Sequence, residues 1–239
     1  MAAFPETRWS QVLTARGDGP KSREALESLC QAYWPPVYHF IRHRGQNHAD
    51  AQDLTQGFFA TLLERRSFDT VDPSKGRLRS FLLTAVTRFM ANEHERSMAW
   101  KRGGRAVHLR IDPETAWDVP SCDPGHALTP EIAFERAWAL RLLDRVLEDL
   151  GRAAEEAGQG ALFGELRGLI SFEPPPASYE TIGTRLDMSV SAVKAAAHRL
   201  RHRYRDALRR HIADTVAHEE EVEDELNHLF EIFSDPLSP

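Results

Sequence analysis

Cysteine and long hydrophobic runs are both scarce in this 239-residue sequence, and their scarcity excludes several classes of protein. The two cysteines, Cys30 and Cys122, stand far apart, which predicts neither a disulfide framework nor a metal site and is typical of a reducing cytoplasm. No apolar run is long enough to span a bilayer, and the first residues lack the hydrophobic stretch of a signal peptide. We therefore expect a cytoplasmic protein without membrane contact.

The patterns that carry catalysis are also missing. The sequence has no glycine-rich phosphate loop and no nucleophile elbow. His39 and His43 have the spacing of a metal-binding pair, but no carboxylate or cysteine joins them and arginines flank His43, so we expect surface histidines. The sequence therefore predicts no enzyme, no metal and no cofactor.

Strand patterns are absent beyond a few residues, whereas apolar residues recur at steps of three and four along most of the chain. This periodicity predicts an all-α fold of two helical domains joined by a flexible linker. Turn-forming pairs such as Asp123-Pro124 mark the linker. The predicted segments are an arm (1–20), a first domain (21–102), the linker (103–129), a second domain (130–212) and an acidic tail (213–239).

Two local features of the first domain give testable expectations. Pro35 and Pro36 interrupt a helix predicted over 23–44, so a kink or a helix restart is expected there. Asn47 is a candidate N-cap of a helix predicted over about 49–66.

The net charge of −6 conceals a strongly uneven distribution. Residues 75–110 hold nine Lys/Arg and two Glu, a net charge of +7, and residues 112–173 carry a net charge of −8. Residues 194–210 carry +6, and residues 214–235 hold nine acids without a Lys or Arg. Such blocks are typical of interaction surfaces, and the basic ones suit a partner rich in phosphates.

Residues 178–210 have the pattern of a helix-turn-helix. Ser178 is a good N-cap, Asp187 and Met188 make a short break, and Ser189 is a second N-cap. The second helix carries one apolar stripe and a dense set of cations, as a DNA-recognition helix does. A plain helical hairpin with a solvated basic helix is the alternative from this stretch alone.

Three motifs together resemble the extracytoplasmic-function sigma factors, the small two-domain class of the sigma-70 family. The run from Asp50 to Phe59 (DAQDLTQGFF) is similar to region 2.2 of that family. The run from Gly76 to Leu82 (GRLRSFL) is similar to the segment that leads into region 2.3, and 178–210 is similar to region 4.2. The opening residues and the tail further resemble a long-tailed branch of the class.

The resemblance implies the partners and the residues that contact them. It implies that core RNA polymerase binds the exposed side of the 49–66 helix, at Asp50, Asp53, Leu54, Gln56, Gly57 and Ala60. It implies that the minus-ten element of promoter DNA is bound by Lys75, Arg77, Arg79, Arg88, Asn92, Arg96, Trp100 and Lys101. It implies that the minus-thirty-five element is bound by Ser189, Ser191, Ala192, Lys194, Ala195, His198, Arg199 and His202.

Two departures from the family pattern lie in the helix-turn-helix. Asp187 stands where the family usually has a glycine, and an aspartate can adopt the left-handed conformation at some cost. Ala196 stands where the recognition helix usually has an arginine, which predicts thinner sequence readout.

Two classes of function therefore stay open: a sigma factor that directs transcription initiation, and a stand-alone helix-turn-helix regulator. An anti-sigma factor or another regulator is a further partner that the sequence leaves open. The tail is expected to pack on the helical pair of 130–170, either regulating DNA binding in cis or completing the core of the second domain.

Overall fold

The structure, a computed structural model, describes residues 12, 14–17, 19–65, 67–72, 76–100, 128–171, 177–216 and 218–234, with the side chains of its third helix described as far as Arg96. Across these residues the chain forms helices and turns without a strand, which confirms the all-α prediction. The helices are α1 (Pro20–His43), α2 (His48–Glu64), α3 (Leu78–Trp100), α4 (Pro130–Glu156), α5 (Gly160–Leu166), α6 (Tyr179–Leu186), α7 (Val190–Ala213) and α8 (Val222–Ser234).

Helix α1 runs without a break through its two prolines. It begins at Pro20, in the first turn where a missing N–H costs nothing, and continues past Pro35 and Pro36 to His43. The predicted restart is therefore wrong. Both prolines are buried together with the large apolar side chains of this helix, so packing offsets the backbone hydrogen bonds that prolines cannot donate.

One histidine of α1 lies in the core and not on the surface. The side chain of His39 is only 7% exposed, and the carbonyl oxygen of His39 lies 2.9 Å from Nδ1 of His43. Burial, with help from the nearby charges of His43 and Arg42, lowers the pKa of His39 to about 4. The expectation of a surface histidine is thus wrong for His39.

Helix α2 begins as its sequence predicts. The side chain of Asn47 accepts a hydrogen bond of 2.9 Å from the backbone N–H of Asp50, which confirms the predicted N-cap. Phe58, Phe59 and Leu62 are buried, and Phe59 stacks on Trp34 of α1. The opposite side of the helix is left for other contacts.

The chain divides into two compact units. Unit 1 comprises residues 1–139 and 214–239, and unit 2 comprises residues 140–213. This division differs from the sequence-based boundaries, because 130–139 and the tail both belong to unit 1. Trp138 accounts in part for the first difference, because its buried ring lies 4.6 Å from the guanidinium of Arg79 in unit 1. The predicted linker lies outside the described residues except for 128 and 129.

Helix α8 packs within unit 1. Val222, Leu226 and Leu229 are buried, and its polar residues contact both the start of α3 and Glu135 of α4. The tail therefore contacts the first part of α4, at Glu135, and residues 214–239 belong to the same unit as that part of the helix.

Candidate functional site

The exposed side of α2 carries the six residues that the resemblance assigns to polymerase binding; we call them the docking face. Asp50 and Asp53 are exposed, whereas Leu54, Gln56, Gly57 and Ala60 are half-buried. Asp50 is held near the helix start, because its carboxylate accepts a hydrogen bond of 2.6 Å from the Asn47 amide. The docking face thus begins with two acidic side chains and ends with the small residues Gly57 and Ala60.

Gly57 lies in the middle of the docking face, and no described residue of unit 1 crowds the position that a side chain would occupy there. A Cβ atom built on Gly57 would lie 3.5 Å from Cζ of Phe89, which is an ordinary van der Waals contact. Glycine nevertheless costs about 1 kcal/mol relative to alanine inside a helix. The unit therefore keeps an unfavourable residue where alanine would fit.

Helix α3 presents three polar side chains on one exposed line, which we call the α3 stripe. Arg88, Asn92 and Arg96 are four residues apart in turn, and all three are exposed. Arg96 forms an ion pair of 2.6 Å with Glu93 while remaining 66% exposed. Cations and an amide in one row are suited to an extended strand of nucleic acid. Lys75 and Lys101 lie outside the described residues, as does the side chain of Trp100.

Arg77 and Arg79 are placed differently from what the resemblance implies. Arg79 is 4% exposed, and its guanidinium donates hydrogen bonds of 2.7 and 3.2 Å to the carboxylate of Glu225. Arg77, which is half-buried, forms an ion pair of 2.7 Å with the same carboxylate. In this structure the Arg79 side chain is therefore internal, whereas the resemblance implies a contact with DNA.

Sequence reasoning missed the partners of Arg79. The guanidinium lies 4.6 Å from the centre of the Trp138 ring, and its Nε atom lies 3.4 Å from Glu135. Burial raises the pKa of Glu225, while the adjacent Arg79 and Arg77 oppose this shift. The only sequence signal was the block of acids in the tail, which gave no indication of which basic residue it would meet.

Each of the three capping positions expected in residues 178–210 has the local geometry of a cap in α6 and α7. Ser178 accepts a hydrogen bond of 3.2 Å from the N–H of Thr181, and Ser189 accepts one of 3.2 Å from Ala192. Asp187 adopts the left-handed conformation, with φ 52° and ψ 45°. These caps end one helix and start the next within three residues.

A glycine that the sequence analysis did not single out allows the turn to close. Gly183 is buried, and a Cβ atom there would lie 2.6 Å from the carbonyl oxygen of Met188. The two residues are also joined by a hydrogen bond of 2.8 Å, which the backbone N–H of Met188 donates to the carbonyl oxygen of Gly183. Only glycine fits without a shift of the backbone.

Helix α7 exposes most of the residues predicted to read DNA. An exposed row, which we call the α7 face, comprises Ser191, Lys194, Ala195, His198 and His202. The rings of His198 and His202 lie 4.5 Å apart, and the hydroxyl oxygens of Ser189 and Ser191 lie 3.0 Å apart. Ala192 is half-buried. The face offers hydroxyl, ammonium and imidazole groups, all of which bind base edges or phosphates.

Arg199 and Ala196 lie away from the α7 face. Arg199 is exposed but lines a cavity of about 490 Å³ together with Arg203 and Leu166. Ala196 is 6% exposed and belongs to the core cluster of Ile182 and Val193. Position 196 therefore packs the two helices together, which accounts physically for the small side chain there.

The described residues include no group of three His, Cys, Asp or Glu side chains arranged to hold a metal ion. None of the described helices has the length and hydrophobicity needed to cross a membrane. The arrangement is suited to binding, with two cationic surfaces and one acidic one.

Comparison with known proteins gives two matches. Residues 29–99 match the family described as sigma-70 region 2. The chain is also 26% identical over 211 residues to the ECF RNA polymerase sigma factor SigE of Mycolicibacterium smegmatis, an alignment that covers 88% of this chain and 72% of that protein. No solved structure matches the chain.

Proposed function

Because the chain is a member of the sigma-70 family, in its extracytoplasmic-function class, we propose that it binds core RNA polymerase through the docking face of α2 and directs the polymerase to promoters. A role in transcription initiation follows from the family itself, which is not a family of enzymes. We place the protein in the cytoplasm, where the polymerase works.

The observation that carries this proposal is that residues 29–99, which match sigma-70 region 2, contain both the docking face and the α3 stripe. The first surface ends in small side chains, which let another helix approach closely. The second offers two guanidinium groups and an amide to solvent. The proposed protein-binding surface and the proposed nucleic-acid-binding surface thus lie on neighbouring helices of one unit.

The proposal assigns a different form of DNA to each cationic surface. The α3 stripe binds the single strand of the minus-ten element, because a row of exposed cations follows a backbone and an amide hydrogen-bonds a base. The α7 face binds the duplex of the minus-thirty-five element, because it is the exposed side of the second helix of a helix-turn-helix. Recognition of the duplex then depends on Lys194 and the paired histidines, since Ala196 is buried.

A comparison of two double variants, each measured separately in a pull-down with core polymerase, tests the docking face. Asp53→Arg with Gln56→Ala is expected to abolish binding to core polymerase in a pull-down without DNA, because it reverses one charge and shortens one side chain of the face. The helical circular dichroism should remain unchanged. The matched control, Glu24→Arg with Gln31→Ala, makes the same changes at two exposed positions of α1 and should bind core polymerase as the wild type does.

The outcome also separates the two classes of function. Unchanged core affinity in the Asp53/Gln56 variant would refute the assignment of the docking face. A wild-type chain that binds duplex DNA as a symmetric dimer and does not bind core polymerase would instead favour the stand-alone regulator.

A further inference from the structure

The carboxylate of Glu225 joins two segments that are 146 residues apart. Glu225 is fully buried in α8, and its two oxygen atoms accept three short contacts from Arg77 and Arg79 at the start of α3. A carboxylate gripped by a guanidinium fork has a fixed orientation as well as a favourable charge interaction. The start of α3 is thereby tied to the C-terminal helix.

The contacts of Arg79 extend the link to α4. Glu135 approaches Arg79 at 3.4 Å and His228 of α8 at 3.4 Å, and the ring of Trp138 lies under the guanidinium. Two arginines and two glutamates balance in charge within this cluster. Such balance is what a buried ionic cluster needs to persist, because an unpaired charge there is strongly unfavourable.

Apolar side chains of α8 are buried beside Glu225 in the sequence of the helix. Val222, Leu226 and Leu229 are buried on one side of the helix, and Thr215 and Val216 are buried just before it. The acids of the outer side, among them Asp224, remain exposed. Helix α8 therefore buries one apolar side, and the contacts of its one buried acid, Glu225, fix its orientation.

The α3 stripe begins only nine residues beyond Arg79. At 1.5 Å per residue, Arg88 lies about 13 Å further along the same helix. Because a helix is stiff over this length, the direction in which α3 leaves the cluster sets where the three side chains of the stripe point. The ionic cluster at the start of α3 can therefore set the direction of the α3 stripe without contacting it.

We propose that Glu225 is a positioning residue for single-strand DNA binding, and that α8 is a brace that holds α3 in the orientation at which its stripe can contact the strand. This inference rests on the proposed function of the stripe. It assigns the acidic tail to the support of DNA binding and not to competition with DNA. Arg79 acts through the same brace, since its guanidinium is enclosed by Glu225, Glu135 and Trp138.

Binding of the full-length protein to a fluorescent, random-sequence single-stranded DNA 20-mer tests the brace. Glu225→Gln is expected to weaken this binding about tenfold, the loss of about one stripe contact, while core polymerase affinity stays within twofold. Arg79→Lys keeps the charge but loses the fork, so it should show a smaller loss in the same assay. Asp224→Asn, an equal change of charge on the exposed side of α8, should bind as the wild type does.

A second measurement does not depend on DNA. Amide hydrogen exchange in the first turns of α3 should be faster in Glu225→Gln than in Asp224→Asn, at a temperature where circular dichroism shows both fully folded. If Glu225→Gln does not fold, Arg79→Lys supplies the same comparison. Unchanged exchange in α3 would overturn the brace.

The remaining outcomes separate this inference from the function on which it rests. Tighter DNA binding by Glu225→Gln would overturn the brace and make α8 a competitor of DNA. Equal losses of core binding and DNA binding would reduce Glu225 to a residue of general stability. A wild-type chain that binds core polymerase but not the single strand would overturn the minus-ten assignment together with the brace, whereas normal binding by every variant would overturn the brace alone.

Discussion

Replacement of Gly57 by alanine is expected to change folding stability and polymerase binding in opposite directions. The new methyl group lies 3.5 Å from Phe89, a contact that needs no rearrangement, while the helix gains the propensity difference of about 1 kcal/mol. For a chain of this size, that gain raises the thermal midpoint by about 2–4 °C. At a tightly packed helix contact, the same methyl group is excess volume, and we expect about tenfold weaker binding to core polymerase, or about 1.4 kcal/mol.

The two quantities are measured on the same protein preparation, by circular dichroism melting and by fluorescence anisotropy with labelled core polymerase. Gly164→Ala in α5 is a matched control, because Gly164 is an exposed helical glycine with no atom within 4 Å of an added Cβ. It should gain stability without a loss of core affinity. A stabilised Gly57→Ala variant with wild-type core affinity would show that no partner helix approaches Gly57, and a destabilised one would refute the geometry of α2 against α3.

Two further predictions concern pH and the division of labour between the DNA surfaces. The pKa of His39 is about 4 in the folded protein and about 6.5 in the unfolded chain, so the unfolded state binds more protons as pH falls below 6.5 and stability is lost. Between pH 7 and pH 5 the loss is about 2 kcal/mol in urea melts, and His39→Gln should remove most of this dependence; an equal pH dependence in that variant would show that other groups cause it. Arg88→Ala with Arg96→Ala should impair capture of single-stranded DNA and leave duplex binding intact, whereas Lys194→Ala should weaken duplex binding by about 1–3 kcal/mol and Arg199→Ala by less. Defects of both pairs at one and the same step in a binding and promoter-opening assay would contradict the assignment of two surfaces.

Local features of the chain could be predicted from its sequence because neighbouring residues determine them. The caps at Asn47, Ser178 and Ser189 and the left-handed Asp187 depend on a few adjacent backbone groups, and the structure confirms each of them. The exposure of the α7 face follows from the apolar stripe on the other side of the same helix. The periodicity of apolar residues is sufficient to predict which side of a helix is exposed.

The features that could not be predicted depend on residues far apart in the chain. Arg79 is indistinguishable by sequence from the exposed Arg88, and only the arrival of Glu225 makes it internal. His39 was missed for another reason. Ala32 and Pro36 precede it on the same buried side of α1, but small side chains and a proline do not make a conspicuous apolar stripe, and the adjacent Arg42 and Arg44 suggest a surface.

Residue 225 is needed to complete a cluster whose other members lie at 77, 79, 135 and 138. On the ribosome, which adds about 5–20 residues per second, Arg79 and Trp138 are made many seconds before their partner. A nascent or truncated chain that stops short of Glu225 leaves an aromatic ring and two guanidinium groups of unit 1 without their final cover. Unit 1 can therefore close this cluster only after residue 225 has been translated, long after the residues that surround it have left the ribosome.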